Sequence, residues 1–182
     1  MTRPRRNLAL IALFVVVAFA LAPRLPDAVL TTAAALGAGL VVACGLAAKH
    51  LLAGRSLMKQ GRWDDAALEL AAFEQEQARG GWKKALGFLI VGAWSSDGVA
   101  VARGTLGAIR LEQGRLDEAE AHLKRALEQD AGYAIPHANL ALVAARRGDA
   151  AAAEAHRARA HALGFRRRAF EKALADALAT KR

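Results

Sequence analysis

The sequence predicts an all-α protein. It reads as an N-terminal two-helix transmembrane hairpin followed by a short α-solenoid of about three helix pairs, with an inserted apolar segment and a C-terminal capping helix. Three observations carry this. Two stretches near the N-terminus hold no charged residue over lengths that match a bilayer. The rest of the chain repeats itself at a fixed offset, with a glycine at each repeat's midpoint. The last residues form an amphipathic helical stripe.

The N-terminal region, residues 1–48, comes first. Arg3, Arg5 and Arg6 precede an uncharged run over 7–23. Pro23, Arg24, Pro26 and Asp27 break it, and a second uncharged run covers 28–48 before Lys49. The second run, as a helix, is about 31 Å long and matches a hydrocarbon core. The first sits near the lower length limit. Gly37, Gly39 and Gly45 suit close helix packing in lipid better than a soluble helix. The first run also resembles a signal peptide, with Ala18-Phe19-Ala20 as a cleavage-like triplet and Arg5-Arg6 as a twin-arginine cue. The second run close behind favours a retained hairpin. Basic residues flank both runs, and the loop between holds only Arg24, opposed by Asp27, so both ends are expected in the cytoplasm. No Pro falls between Ala28 and Gln60, so the second span should run without a flexible linker into the first repeat.

Residues 49–165 carry the repeat. Leu111 to Ala126 reads LEQGRLDEAEAHLKRA, and Ala145 to Ala160 reads ARRGDAAAAEAHRARA. Gly114 lies 34 residues before Gly148, and Ala119-Glu120-Ala121-His122 recurs as Ala153-Glu154-Ala155-His156. Upstream, Lys59-Gln60-Gly61-Arg62-Trp63-Asp64-Asp65-Ala66 echoes Glu112 to Ala119. Leu106-Gly107, Gly114, Ala119 and Ala126 match Leu140-Ala141, Gly148, Ala153 and Ala160; the first copy supplies Gly54, Gly61 and Ala66, with Phe73 in the last small-residue position. A period of 34 with this punctuation resembles the tetratricopeptide repeat. Two features depart from the family pattern. The usual first-helix aromatic residues are missing, and Ala131 stands where a closing Pro is common.

Gly61 and Gly114 are 53 apart, one period plus 19, so a segment of about 80–98 is inserted between copies one and two. Trp82 and Trp94 bound an apolar stretch, and Lys83-Lys84 follow the first Trp, a pattern expected of an interfacial helix or of one packed on the repeat core. A hairpin through Asp97-Gly98, with Val99 to Ala102 as a strand, is a further alternative. Residues 166–182 are basic and form the capping helix, with Phe170, Leu174 and Leu178 on one stripe.

The chain has 182 residues and a formal charge of +9, much of it late: Arg146, Arg147, Arg157, Arg159 and Arg166 to Arg168. With few aromatic residues interleaved, this reads as a solvated basic face, not a nucleic-acid site. The single Cys44 lies in the second apolar run and cannot form an intrachain disulfide. No phosphate loop, dinucleotide fingerprint or metalloprotease motif is present, so no catalytic residue, metal ligand or cofactor is expected. His122 and His156 share one repeat position, which points to a structural slot. Asp64-Asp65 and Asp117-Glu118 complement the helix dipole at second-helix starts.

The resemblance implies a partner groove lined by the first helix of each repeat. In copy two this gives Val101, Thr105, Ala108 and Glu112; in copy three, Asn139, Leu142 and Arg146. Family members that clamp a peptide carboxylate use Lys, Arg and Asn, and here only Asn139 and Arg146 fit. The implied function is a membrane-anchored protein–protein adaptor, not an enzyme, presenting this groove to the cytoplasm from a bacterial-type inner membrane. Its partners are a protein and the lipid bilayer. The alternative is a structural subunit of a larger inner-membrane complex, with the hairpin making the specific contacts.

Overall fold

The computed structural model describes residues 26–91, 95 and 97–180. The first uncharged run, its cleavage-like triplet and Trp94 lie outside them. Eight helices and no strand occur among the described residues: α1 Asp27–Lys59, α2 Trp63–Arg79, α3 Trp82–Val91, α4 Gly98–Glu112, α5 Leu116–Gln129, α6 Ala134–Arg147, α7 Ala150–Ala162 and α8 Arg168–Ala179. The protein is all-α, as its sequence predicts.

A single helix, α1, carries the second uncharged run onward without a break. Val29, Leu36, Leu40, Val41, Val42 and Leu46 are exposed along it, and burial begins only at Ala47 and Ala48. It is long and apolar enough to cross a membrane, and its most apolar window is 0 % buried.

Beyond residue 47 the helices pack in consecutive pairs: α1 with α2, α4 with α5, and α6 with α7. Each pair turns at the expected glycine. Gly61, Gly114 and Gly148 hold φ of +73°, +74° and +88°, where a Cβ would be strained. Each turn also closes with the same bond across five residues, from Arg62, Arg115 and Asp149 N–H back to the carbonyls of Leu57, Arg110 and Ala144, at 2.8–3.0 Å. Gly164 ends α7 in the same way, with φ +91°. Orphan carbonyls at all four helix ends are satisfied by one motif.

The small residues do what close pairing needs. Ala66, Ala119 and Ala153, equivalent in the three copies, are fully buried. A Cβ on Gly54 would lie 2.9 Å from Leu70 Cγ, and one on Gly107 would lie 2.6 Å from Leu123 Cγ. Leu70 and Leu123 are themselves equivalent positions. In the third copy the facing residue is Arg157, whose guanidinium turns away to Glu154 and Glu171, and the first helix there carries Ala141 instead of Gly. Gly thus stands where a Leu faces it and Ala where the facing side chain leaves.

Two departures follow from local chemistry. Val99 to Ala102 belong to α4 and form no strand, because the Asp97 carboxylate caps the helix by accepting from Ala100 N–H at 3.0 Å. Phe73, in the last small-residue position, is fully buried in one core with Leu51, Leu70, Ala100, Val101 and Ile109. The inserted helix α3 packs chiefly on α1, and also touches α2 and α4. It therefore bridges the first helices of copies one and two. The second core joins α6, α7 and α8, and a third joins α4, α5 and α6. Phe170 and Leu174 seat α8, whose main partner is α6.

Candidate functional site

The first helices α4 and α6 adjoin, and α8 adjoins α6 on the other side. The residues assigned to the groove recur on these helices at the repeat spacing. Thr105, Ala108 and Glu112 on α4 are equivalent to Asn139, Leu142 and Arg146 on α6. Adding the same 34 again gives Ala173 and Asp176 on α8 and Thr180 at its C-terminal cap. These three residues, with Arg146 and Ala177, line a cleft of about 430 Å³ between α6 and α8. The helix expected only to cap the repeats also extends the row of first helices. Leu140 and Leu174, one period apart, are both buried, which fixes α8 in register.

The row is not uniformly accessible. Val101 is fully buried in the first core and offers nothing to a partner. Thr105 is half-buried, and its hydroxyl donates to the Val101 carbonyl at 2.7 Å. Ala108, Asn139 and Leu142 are half-buried, and Leu142 packs against two cores. Glu112, Ala173, Asp176 and Thr180 are exposed. One guanidinium nitrogen of Arg146 donates to the Leu111 carbonyl at 2.5 Å, which ties the side chain across from α6 to the end of α4. Glu112, Arg146 and Asp176 thus alternate in charge along the row, with small and apolar groups between them. Such a surface is suited to an extended or helical polypeptide.

In copy one the same register falls on Leu52, Arg55 and Lys59. Leu52 is 55 % exposed. The adjoining first helices are α4, α6 and α8, while α3 touches both α1 and α4. The interfacial candidates divide too. Trp82 is 54 % exposed and Lys84 is exposed. Lys83 is engaged, its ammonium 2.5 Å from Glu76.

A second repeated feature is a polar slot between paired helices. His50, Arg103 and His137 are equivalent, as are Glu69, His122 and His156. Copy one joins His50 Nδ1 to Glu69 Oε2 at 2.7 Å, and copy three joins His137 Nδ1 to His156 Nδ1 at 3.2 Å. In copy two Arg103 instead crosses to Glu74 on α2 at 2.8 Å. The slot is structural, tying helix to helix. No group of three or more potential metal ligands occurs among the described residues. The acidic second-helix starts also act between helices: Arg147 on α6 reaches Asp117 at 2.5 Å and also binds Glu120.

Burial, then the charges of His156 and Arg159, hold His137 at about 4. An unfolded imidazole titrates at about 6.5, so between these values the unfolded chain binds the extra proton. The folded-state advantage is whole above about pH 6.5 and falls as the pH drops toward 4. With the half-exposed ring screened by solvent, the effect is on the order of 1 kcal/mol. His137→Gln should flatten the loss of stability between pH 7.5 and 5, read as the change in urea midpoint. An unchanged pH slope would remove His137 as its source.

No family model matches the chain, and no curated protein matches it.

Proposed function

We propose that this chain is a membrane-anchored protein–protein adaptor. In this reading the stacked helix pairs are a short tetratricopeptide-like solenoid, and α1 is the second span of a hairpin whose first span is 7–23. The basic flanks put the solenoid in the cytoplasm. The partner is a polypeptide segment lying along α4, α6 and α8. The observation that carries the reading is the run of equivalent positions from Thr105 through Asn139 to Ala173, which ends in the cleft lined by Arg146, Asp176 and Thr180. The small side chains of Ala173 and Ala177 leave room for an incoming backbone, while the alternating charges fix its register.

The test is site-specific photocrosslinking in intact membranes. A photoreactive residue at Ala173 or Asn139 should capture one defined protein, and Asp176→Arg should abolish that adduct. The same residue at Glu128, exposed on α5, should not capture it. Equal capture at Glu128 would sink the groove. Fixed-ratio companions that survive Asp176→Arg, held through the membrane region, would instead favour a subunit of a larger complex.

A further inference from the structure

We propose that the corner formed by the end of α2, the Gly80-Gly81 turn and the start of α3 is a seat for anionic phospholipid headgroups. It rests on the reading of α1 as a membrane span and gives that span a second, peripheral attachment.

The corner's height follows from helix register. α2 runs antiparallel to α1, with Ala66 and Leu70 against Gly54 and Glu69 against His50. Seventeen residues of α2 return the chain by about 25 Å. Its C-terminal end therefore comes back to the level of the last turns of the uncharged run. Gly80 and Gly81, with φ of +78° and +76°, then reverse the chain, and α3 starts at that level. A line of contacts supports the same placement. Lys83 Nζ lies 5.9 Å from the centre of the Trp82 ring and 2.5 Å from Glu76 Oε1, which is itself 3.7 Å from His50 Nε2. His50 is two residues beyond the end of the uncharged run.

The corner's chemistry matches that height. Trp82 is 54 % exposed, whereas Trp63 packs against the first core. Lys49, Arg79 and Lys84 are exposed around it. The nearby acid, Glu76, is engaged by Lys83, whose hydrogen bond holds that carboxyl below its usual range. The corner thus joins an amphipathic ring to basic side chains beside an uncovered apolar helix. Indole rings settle at the headgroup level, and Lys and Arg there pair with lipid phosphates. Their long stems let the cations reach outward while the apolar parts stay against the helix.

The experiment uses the full chain with Trp63→Phe and Trp94→Phe, so that Trp82 is the only indole. It is reconstituted into vesicles of phosphatidylcholine with or without phosphatidylglycerol. Lipids brominated close to the headgroup should quench Trp82 more than lipids brominated deep in the chain. Phosphatidylglycerol should blue-shift its emission and raise the quenching. Lys49→Gln, Arg79→Gln and Lys84→Gln together should erase that dependence, with helical content kept by circular dichroism. Alkaline washing separates the two readings. A chain retained in the bilayer with Trp82 unquenched overturns the seat but not the span. Quenching that is independent of phosphatidylglycerol overturns the anionic preference. A chain that washes out overturns the span and the seat with it.

Discussion

Gly107→Leu is expected to destabilise the helical domain by about 3 kcal/mol, through overpacking at a site with little room to relax. A Cβ there would meet Leu123 Cγ at 2.6 Å, Leu123 Cδ2 at 2.8 Å and the Ala119 carbonyl oxygen at 3.1 Å. Two of these belong to a fully buried Leu and the third to backbone, so no flexible chain end can swing aside. The pair α4–α5 would have to separate, and it links the first core to the third. The check is urea unfolding of the detergent-solubilised chain, followed by circular dichroism. Gly37→Leu is the control, since nothing lies within 4 Å of a Cβ at Gly37. Equal midpoints for Gly107→Leu and the unsubstituted chain would refute the close approach. Gly107→Ala places the same Cβ against Leu123 and should also destabilise, though by less, because Ala adds no further atoms and gains about 1 kcal/mol of helix propensity.

The second large effect concerns α1. Leu40 and Val41 lie near the middle of the uncharged run, 48 % and 72 % exposed. In lipid an Asp at a span's centre is unfavourable by about 3 kcal/mol relative to the apolar residue it replaces. Leu40→Asp with Val41→Asp should therefore shift insertion of this segment by about 6 kcal/mol, enough to turn an inserted helix into an excluded one. The measurement places residues 27–48 in a host membrane protein and scores insertion from an engineered glycosylation site. In the folded helical domain beyond residue 47 the pair should change nothing, since neither residue is buried there. A segment that stays inserted with both Asp residues would contradict a lipid environment at this depth.

Much of the fold was legible because repetition reports equivalence directly. The turn glycines, the fully buried Ala66, Ala119 and Ala153, and the unbroken passage from Ala28 to Lys59 all follow from spacing and residue size. The limits have physical causes too. Val101 looked like a groove residue from its helix alone, but α4 packs against both α2 and α6, which buries it. Leu89, Ile90 and their neighbours are apolar in a way that suits a core or an interface equally. The placement of α3 beside α1 therefore depended on tertiary contact. The continuation of the row to Ala173, Asp176 and Thr180 was present as a third step of 34. It was hidden because α8 keeps the spacing but shares few of the residue types, and two of the three matches are Ala, common throughout the chain. Leu140 and Leu174, Ala141 and Ala175, and Ala145 and Ala179 are the matches at this offset, and of these only the Leu pair is buried in both helices.

The reading of the chain as an anchored adaptor stands first on α1 crossing the bilayer. Single spin labels placed in turn from Val29 to Leu46 in reconstituted vesicles test this most directly, by their collision rates with oxygen and with a water-soluble nickel complex. A spanning helix predicts oxygen access rising to a maximum near the middle of the run, about residue 37, with nickel access returning at both ends. Oxygen and nickel access that oscillate out of phase with the helical period of about 3.6 residues, with no maximum at depth, would mean a helix lying in the surface, and uniform nickel access would mean one in water. Either result would contradict the anchor.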